Sequence, residues 1–112
     1  MQRVLDRVSI DNVRTVRFLY CDHANIVRGK AAHATALADF LESGIGLTVA
    51  MQAFSLTEHL ASGTNLGPVG EIRLVPDPRT FAILPYAPRE ARLLCDMYTL
   101  EGQPWDVCPR AF

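Results

Sequence analysis

Between Glu71 and Arg110 the chain presents a short apolar run, an acid held between prolines, a second apolar run and a long alternating one, with almost no filler between them. No helix crosses Pro76-Asp77-Pro78, because proline lacks the amide donor and pushes the residue before it out of the helical region. Downstream, Ala91, Leu93, Cys95 and Met97 alternate with Arg92, Asp96 and Tyr98 in the period of a half-buried strand. The segment therefore reads as strands over Glu71–Val75, Thr80–Leu84 and Glu90–Tyr98, closed by a turn at Glu101-Gly102-Gln103-Pro104.

The upstream half supplies partners for those strands. Val13–Asp22 is rich in β-branched and aromatic residues and sets Val16, Phe18 and Tyr20 on one face when extended. Asp22-His23-Ala24-Asn25 is turn-forming, and Ile26–Ala32 returns as the hairpin partner, with Gly29 marking a bulge or a close backbone approach. Leu37, Phe40 and Leu41 recur at helical spacing, with Thr35 as the expected N-cap and Gly44 as the stop. A helix this short needs a sheet to pack against. Leu47–Phe54 reads as another strand, and Gly63, Gly67, Pro68 and Gly70 make the second half of the stretch from Ser55 to Gly70 a loop. The sum is one α+β domain over residues 1–112, with a mixed sheet of four or five strands packed on one short helix.

Composition narrows the partners. A chain of 112 residues with 49% hydrophobic and 21% charged residues buries a core of its own, and a net charge of −1 offers little attraction to nucleic acid or anionic lipid. Cys21, Cys95 and Cys108 are odd in number, far apart and without a C-x-x-C pair, so they read as free thiols in a reducing compartment. Charged residues interrupt every apolar pair at the start of the chain, which leaves no signal region or membrane span and implies a cytoplasmic protein.

Several side chains invite chemistry and have plainer explanations. Cys21-x-His23 places two metal-ligand types on one strand face, but isolated Cys and His are more often core or surface residues, and no metal site is read here. Glu58-His59 is not part of an H-E-x-x-H helix, and Ser55 or Thr57 near His59 has no orienting acid. Asp77 between prolines reads as the organiser of its own turn. Asp96 reads as a solvated partner of Arg92, and Arg17, Arg28 and Lys30 as a solvated or subunit-facing basic face. Trp105 near the end reads as a contact with neighbouring structure.

Taken in order, Gly29-Lys30, Leu74-Val75-Pro76-Asp77-Pro78, Leu84-Pro85-Tyr86, Leu94-Cys95-Asp96-Met97 and Cys108-Pro109-Arg110 resemble the amino-terminal β-grasp domain of the glutamine synthetase family, from about Val13 to Arg110. That resemblance implies an ATP-dependent ligase that phosphorylates the γ-carboxylate of glutamate and lets ammonia or an amine displace the phosphate. It also implies that the large catalytic domain, with the ATP site and its Mg or Mn ions, would begin after Cys108-Pro109-Arg110, so that residues 1–112 hold no cofactor and are inactive alone. The expected partners are the catalytic domains of the same and neighbouring subunits in a homo-oligomeric ring. The apolar ending Ala111-Phe112 points the same way, and predicts that the isolated chain self-associates through surface left uncovered.

Within the resemblance, the loop after the third strand faces the substrate and begins near Met51-Gln52-Ala53-Phe54-Ser55. In ammonia-using members it carries an aspartate that holds ammonium and assists its deprotonation. Gln52 is the nearest match here, and a glutamine neither carries that charge nor accepts that proton. Ser55 and Glu58 are the other substrate-facing candidates, and the family's Gly-Ser-Ser-rich run is missing. These departures count against ammonia as the nitrogen donor and leave ammonia and a bulkier amine both open as the acceptor. A stand-alone β-grasp module that binds another protein is the alternative reading. An independent small enzyme is disfavoured for want of a recognisable nucleophile, base or phosphate loop.

Overall fold

The computed structural model describes residues 1–53 and 70–111. The expected hairpin is present: β1 (Thr15–Cys21) and β2 (Val27–His33) pair antiparallel in unbroken register from Thr15↔His33 to Cys21↔Val27. Asn25 takes the positive φ of 64° that the connection needs. A Cβ on Gly29 would lie 2.6 Å from the Phe18 carbonyl oxygen, so close approach, not a bulge, requires glycine there.

The last strand, β6 (Ala87–Tyr98), lies parallel to β1 with Thr15 opposite Glu90 and Leu19 opposite Leu94. On its other side it pairs antiparallel with β4 (Glu71–Pro76) and β5 (Ala82–Leu84), and β3 (Ile45–Thr48) pairs with β4. The order β2-β1-β6-β4-β3, with the first and last strands parallel at the centre and antiparallel pairs on both flanks, is the expected mixed α+β arrangement. Among the described residues it has six strands rather than four or five.

Asp77 interrupts what is otherwise one continuous neighbour of β6. Pro76 sits opposite Cys95, and an unbroken strand would set Ala82 opposite Arg89; it sits opposite Arg92 instead, so three residues are looped out. Leu94 of β6 stays satisfied across the gap. Its carbonyl accepts from the Asp77 amide at 2.8 Å, and its amide donates to Thr80 Oγ1 at 2.8 Å. The corner thus reproduces the ladder bonds that two prolines would otherwise remove.

Among the described residues, two α-helices join the sheet, not one. The expected helix is α2 (Leu37–Ser43), stopped by Gly44 at φ 73° with its amide bonded to Phe40. Thr35 is not its N-cap: residues Ala34–Ala36 form a 3-10 turn in which His33 Nδ1 accepts the Thr35 amide. The other helix is α1 (Gln2–Ile10), which buries only Val4 and Val8, one helical turn apart. So narrow a stripe, amid charged residues, is masked in the sequence. The strand expected over Leu47–Phe54 is β3, shifted to Ile45–Thr48, and Val49–Ala53 is a 3-10 turn. Phe54 and the loop expected after it, up to residue 69, lie outside the described residues.

The alternation read from the sequence defines the core. Val16, Phe18 and Tyr20 of β1 and Ala91, Leu93, Cys95 and Met97 of β6 are all buried, in one cluster with Leu37 and Leu41 of α2 and Val4 and Val8 of α1. Phe18 meets Phe40 edge to face at 5.8 Å. β2 and β3 form opposite edges, which a flat sheet would hold about 19 Å apart. Lys30 of β2 nonetheless donates to the Gly46 carbonyl of β3, so the sheet is strongly curled.

Candidate functional site

The segment that carries Gln52 is positioned by main-chain chemistry. β3 ends at Thr48, whose hydroxyl accepts the Ala50 amide at 3.4 Å, while the Val49 amide donates to the Gly70 carbonyl at 3.2 Å. The chain then tightens into the 3-10 turn Val49–Ala53, which buries Ala50, Gln52 and Ala53. Gln52 is only 4% exposed, and its Nε2 donates to the Met97 sulfur at 3.1 Å. A thioether accepts and never donates, so this contact identifies which end of the amide is nitrogen. Oε1 is buried and has no hydrogen-bond partner among the described residues.

Met97 is itself tightly held. It is 1% exposed, its carbonyl accepts the Trp105 amide at 2.9 Å, and its amide donates to Cys108 Sγ at 3.3 Å. Trp105 and Cys108, in the segment from Pro104 to Arg110, thus hold β6 at the residue whose sulfur Gln52 touches. Trp105 is half-buried and packs against the core cluster. Leu19, Cys21, Cys95, Met97, Cys108 and Arg110 are among the residues bounding a cleft of about 290 Å³ beside this segment. It brings together three cysteines that are far apart in sequence. Burial, with the nearby Asp96 charge, pushes the Cys95 thiol up to about 12.

Asp77 anchors the same segment. It is 7% exposed and accepts a fork from Arg79, Nε to Oδ1 at 3.0 Å and Nη2 to Oδ2 at 3.0 Å, as well as the Arg79 amide at 3.1 Å. Arg110 adds Nη2 to Asp77 Oδ2 at 3.2 Å and reaches Asp96 Oδ1 with Nη1 at 3.1 Å. The Arg79 bond, opposed by burial and aided by the Arg79 amide and Arg110, holds the Asp77 carboxyl at about 2. The turn-organising role read for Asp77 is correct. Asp96 pairs with Arg110 and not with Arg92, whose guanidinium donates to the Thr80 carbonyl at 2.6 Å.

The remaining sequence candidates separate. Cys21 bonds Asn25, and His23 Nε2 sits 2.8 Å from the Val107 carbonyl, so each has a structural partner. Arg17 pairs with Glu90 at 3.2 Å and Arg28 with buried Asp22 at 2.6 Å, so with Lys30 turned to Gly46 the three cations do not form one open basic face. Burial would raise the Asp22 carboxyl, but the Arg28 bond and the amides of Ile26 and Ala24 outweigh it and hold it low. Among the described residues, no three His, Cys, Asp or Glu side chains converge to hold a metal ion, and no helix is long and apolar enough to cross a membrane. Ser55, Thr57, Glu58 and His59 lie outside the described residues. Met97 and Arg110 were not legible as site neighbours: Met97 reads only as a core position, and Arg110 lies 33 residues from Asp77.

The class defined by this topology, a curled mixed sheet with a 3-10 turn after its third strand, is matched by known proteins. The family model for the glutamine synthetase N-terminal domain covers residues 1–105. The γ-glutamylanilide synthase of Acinetobacter sp is 30% identical across 96% of this chain, and the glutamine synthetase of Methanococcus maripaludis is 30% identical across 98%. A crystal structure of a glutamine synthase homologue superposes with a TM-score of 0.79 at 31% identity, covering 88% of this chain. The chain belongs to the glutamine synthetase N-terminal domain family. It spans 24% and 25% of the lengths of these two relatives and 24% of the superposed chain.

Proposed function

We propose that this domain forms one wall of an inter-subunit active site in a ligase of glutamine synthetase type, which joins the γ-carboxylate of glutamate to ammonia or an amine at the expense of ATP. In that reaction the γ-carboxylate oxygen takes the terminal phosphoryl group of ATP and ADP leaves. The acceptor nitrogen then attacks the acyl carbon, a C–N bond forms, the C–O bond to phosphate breaks, and phosphate departs with the bonding pair while the nitrogen loses a proton. The reading assigns ATP and Mg or Mn to a catalytic domain that this one meets, within its own subunit and in a neighbour. A cytoplasmic ring belongs to the same reading.

The observation that carries it is the family match across residues 1–105, in a chain that spans about a quarter of relatives whose names denote glutamate amide formation. Gln52, Ser55 and Glu58 are the candidates for contact with the acceptor. The test is glutamate-dependent ADP release by the natural gene product that carries this domain, together with its catalytic partner if that is a separate chain. Ammonia and a panel of amines serve as acceptors. ADP release that requires both glutamate and an acceptor is expected, and its absence with every acceptor would remove the reading.

A further inference from the structure

We infer that the cavity between α1 and the 3-10 turn Pro78–Thr80 binds a phosphate monoester carried on a flat apolar body, an aryl phosphate in chemical class; this goes beyond the proposed function and does not rest on it. The cavity has a volume of about 560 Å³, room for a small organic ligand. Its walls divide into two kinds. Val4, Pro78 and Phe81 give it an apolar side: Val4 is buried, while Pro78 and Phe81 are half-buried, with Phe81 packed against the core. Arg3, Arg7 and Arg79 line the rest together with Asp6.

The donors left over define the ligand's charged end. Arg3 and Arg7 stand one helical turn apart, each directly before a valine of the buried stripe, Val4 or Val8, so both border the side by which α1 rests on the fold. Among the described residues the Arg3 guanidinium has no ion pair or hydrogen bond. Arg7 uses only Nε, on Asp11 at 2.9 Å, and an exposed pair of that kind is weak enough to yield to a ligand. Arg79 forks onto Asp77 with Nε and Nη2, which fixes its plane and leaves Nη1 unused. Three guanidiniums on different elements suit the terminal oxygens of a phosphate, which accept from several directions at once, better than a carboxylate, which matches a single fork. Asp6 is the opposing charge in the lining, and its Oδ1 accepts from Gln2 Nε2 at 2.9 Å. Asp11 and Asp77 reduce the cationic surplus from behind without occupying the remaining donors. The apolar side, beside those donors, suits a flat ring that a bare inorganic phosphate lacks.

The experiment titrates the natural gene product that carries this domain with phenyl phosphate by calorimetry, at low and at moderate salt, with inorganic phosphate and phenol as the two halves of the ligand. Phenyl phosphate is expected to bind about tenfold more tightly than inorganic phosphate, because burying the ring adds to the ionic contacts. Phenol should show no binding, and the affinity for phenyl phosphate should fall as salt rises. Arg3→Gln with Arg7→Gln, two exposed changes to an equally good helix former, should weaken phenyl phosphate by about tenfold or more and leave the unfolding midpoint nearly in place. Asp6→Asn removes the opposing charge and should tighten binding several-fold. Equal affinity in the unsubstituted protein and the Arg3, Arg7 double variant, an affinity unmoved by Asp6→Asn, or phenyl phosphate bound no better than inorganic phosphate each overturns the inference. Glutamate-dependent ADP release does not enter the measurement, so these results and those that decide the proposed function are read independently.

Discussion

Asp77→Asn is the substitution whose effect the structure determines most closely. It keeps the size of the side chain and an oxygen for the Arg79 amide, but removes the charge that faces Arg79 and Arg110. A carboxyl drawn from 3.8 to about 2 on folding adds about 2 kcal/mol to stability at neutral pH, at about 1.4 kcal/mol for each factor of ten in proton affinity. Arg79 is 87% exposed, so solvent and salt screen its share, and the expected loss is about 1–2 kcal/mol. The main-chain bond from Asp77 to Leu94 survives the change, which limits the damage to the side-chain network. The assay is reversible urea unfolding of both proteins across pH, at a concentration where sedimentation shows one species. Because folding lowers this pKa, its contribution is complete above 3.8 and is lost as pH falls through about 2. The gap between the proteins should therefore be level from about pH 7 to about pH 5 and close below about pH 4. A gap under about 0.3 kcal/mol at neutral pH, or one that stays constant into acid, would refute the account.

Gly29→Ala sets a methyl 2.6 Å from the Phe18 carbonyl oxygen, a backbone atom that cannot swing aside; the expected loss is about 1–3 kcal/mol in the same assay, and a neutral result would mean that β1 and β2 separate more easily than their register implies. Cys95 should stay unlabelled by a thiol reagent at mildly alkaline pH until the chain unfolds, since burial holds its thiol near 12, whereas half-buried Cys21 should react in the native state. Peptide mapping of the labelled protein checks this, and early labelling of Cys95 would contradict the packing.

What could be read along the chain was whatever repeats locally. The alternation of β6, the inward face of β1, the Gly44 stop and the proline-flanked turn at Asp77 each depend on neighbours a few residues away, because strand pleat, helix pitch and proline sterics act over that range. Even there the local signal was incomplete, since α1 buries only Val4 and Val8 and its charged residues hide so narrow a stripe. Folding decided what depends on distant partners. Thr15 meets Glu90 in a parallel pair, Arg110 crosses to Asp77, and three cysteines converge on one cleft because sheet closure brings them together. Gln52 shows the difference most clearly. Its type alone excluded a charged, proton-accepting role, but that its nitrogen is bound by Met97 and its oxygen left unpaired follows from the position of β6 beneath the turn, 45 residues along the chain.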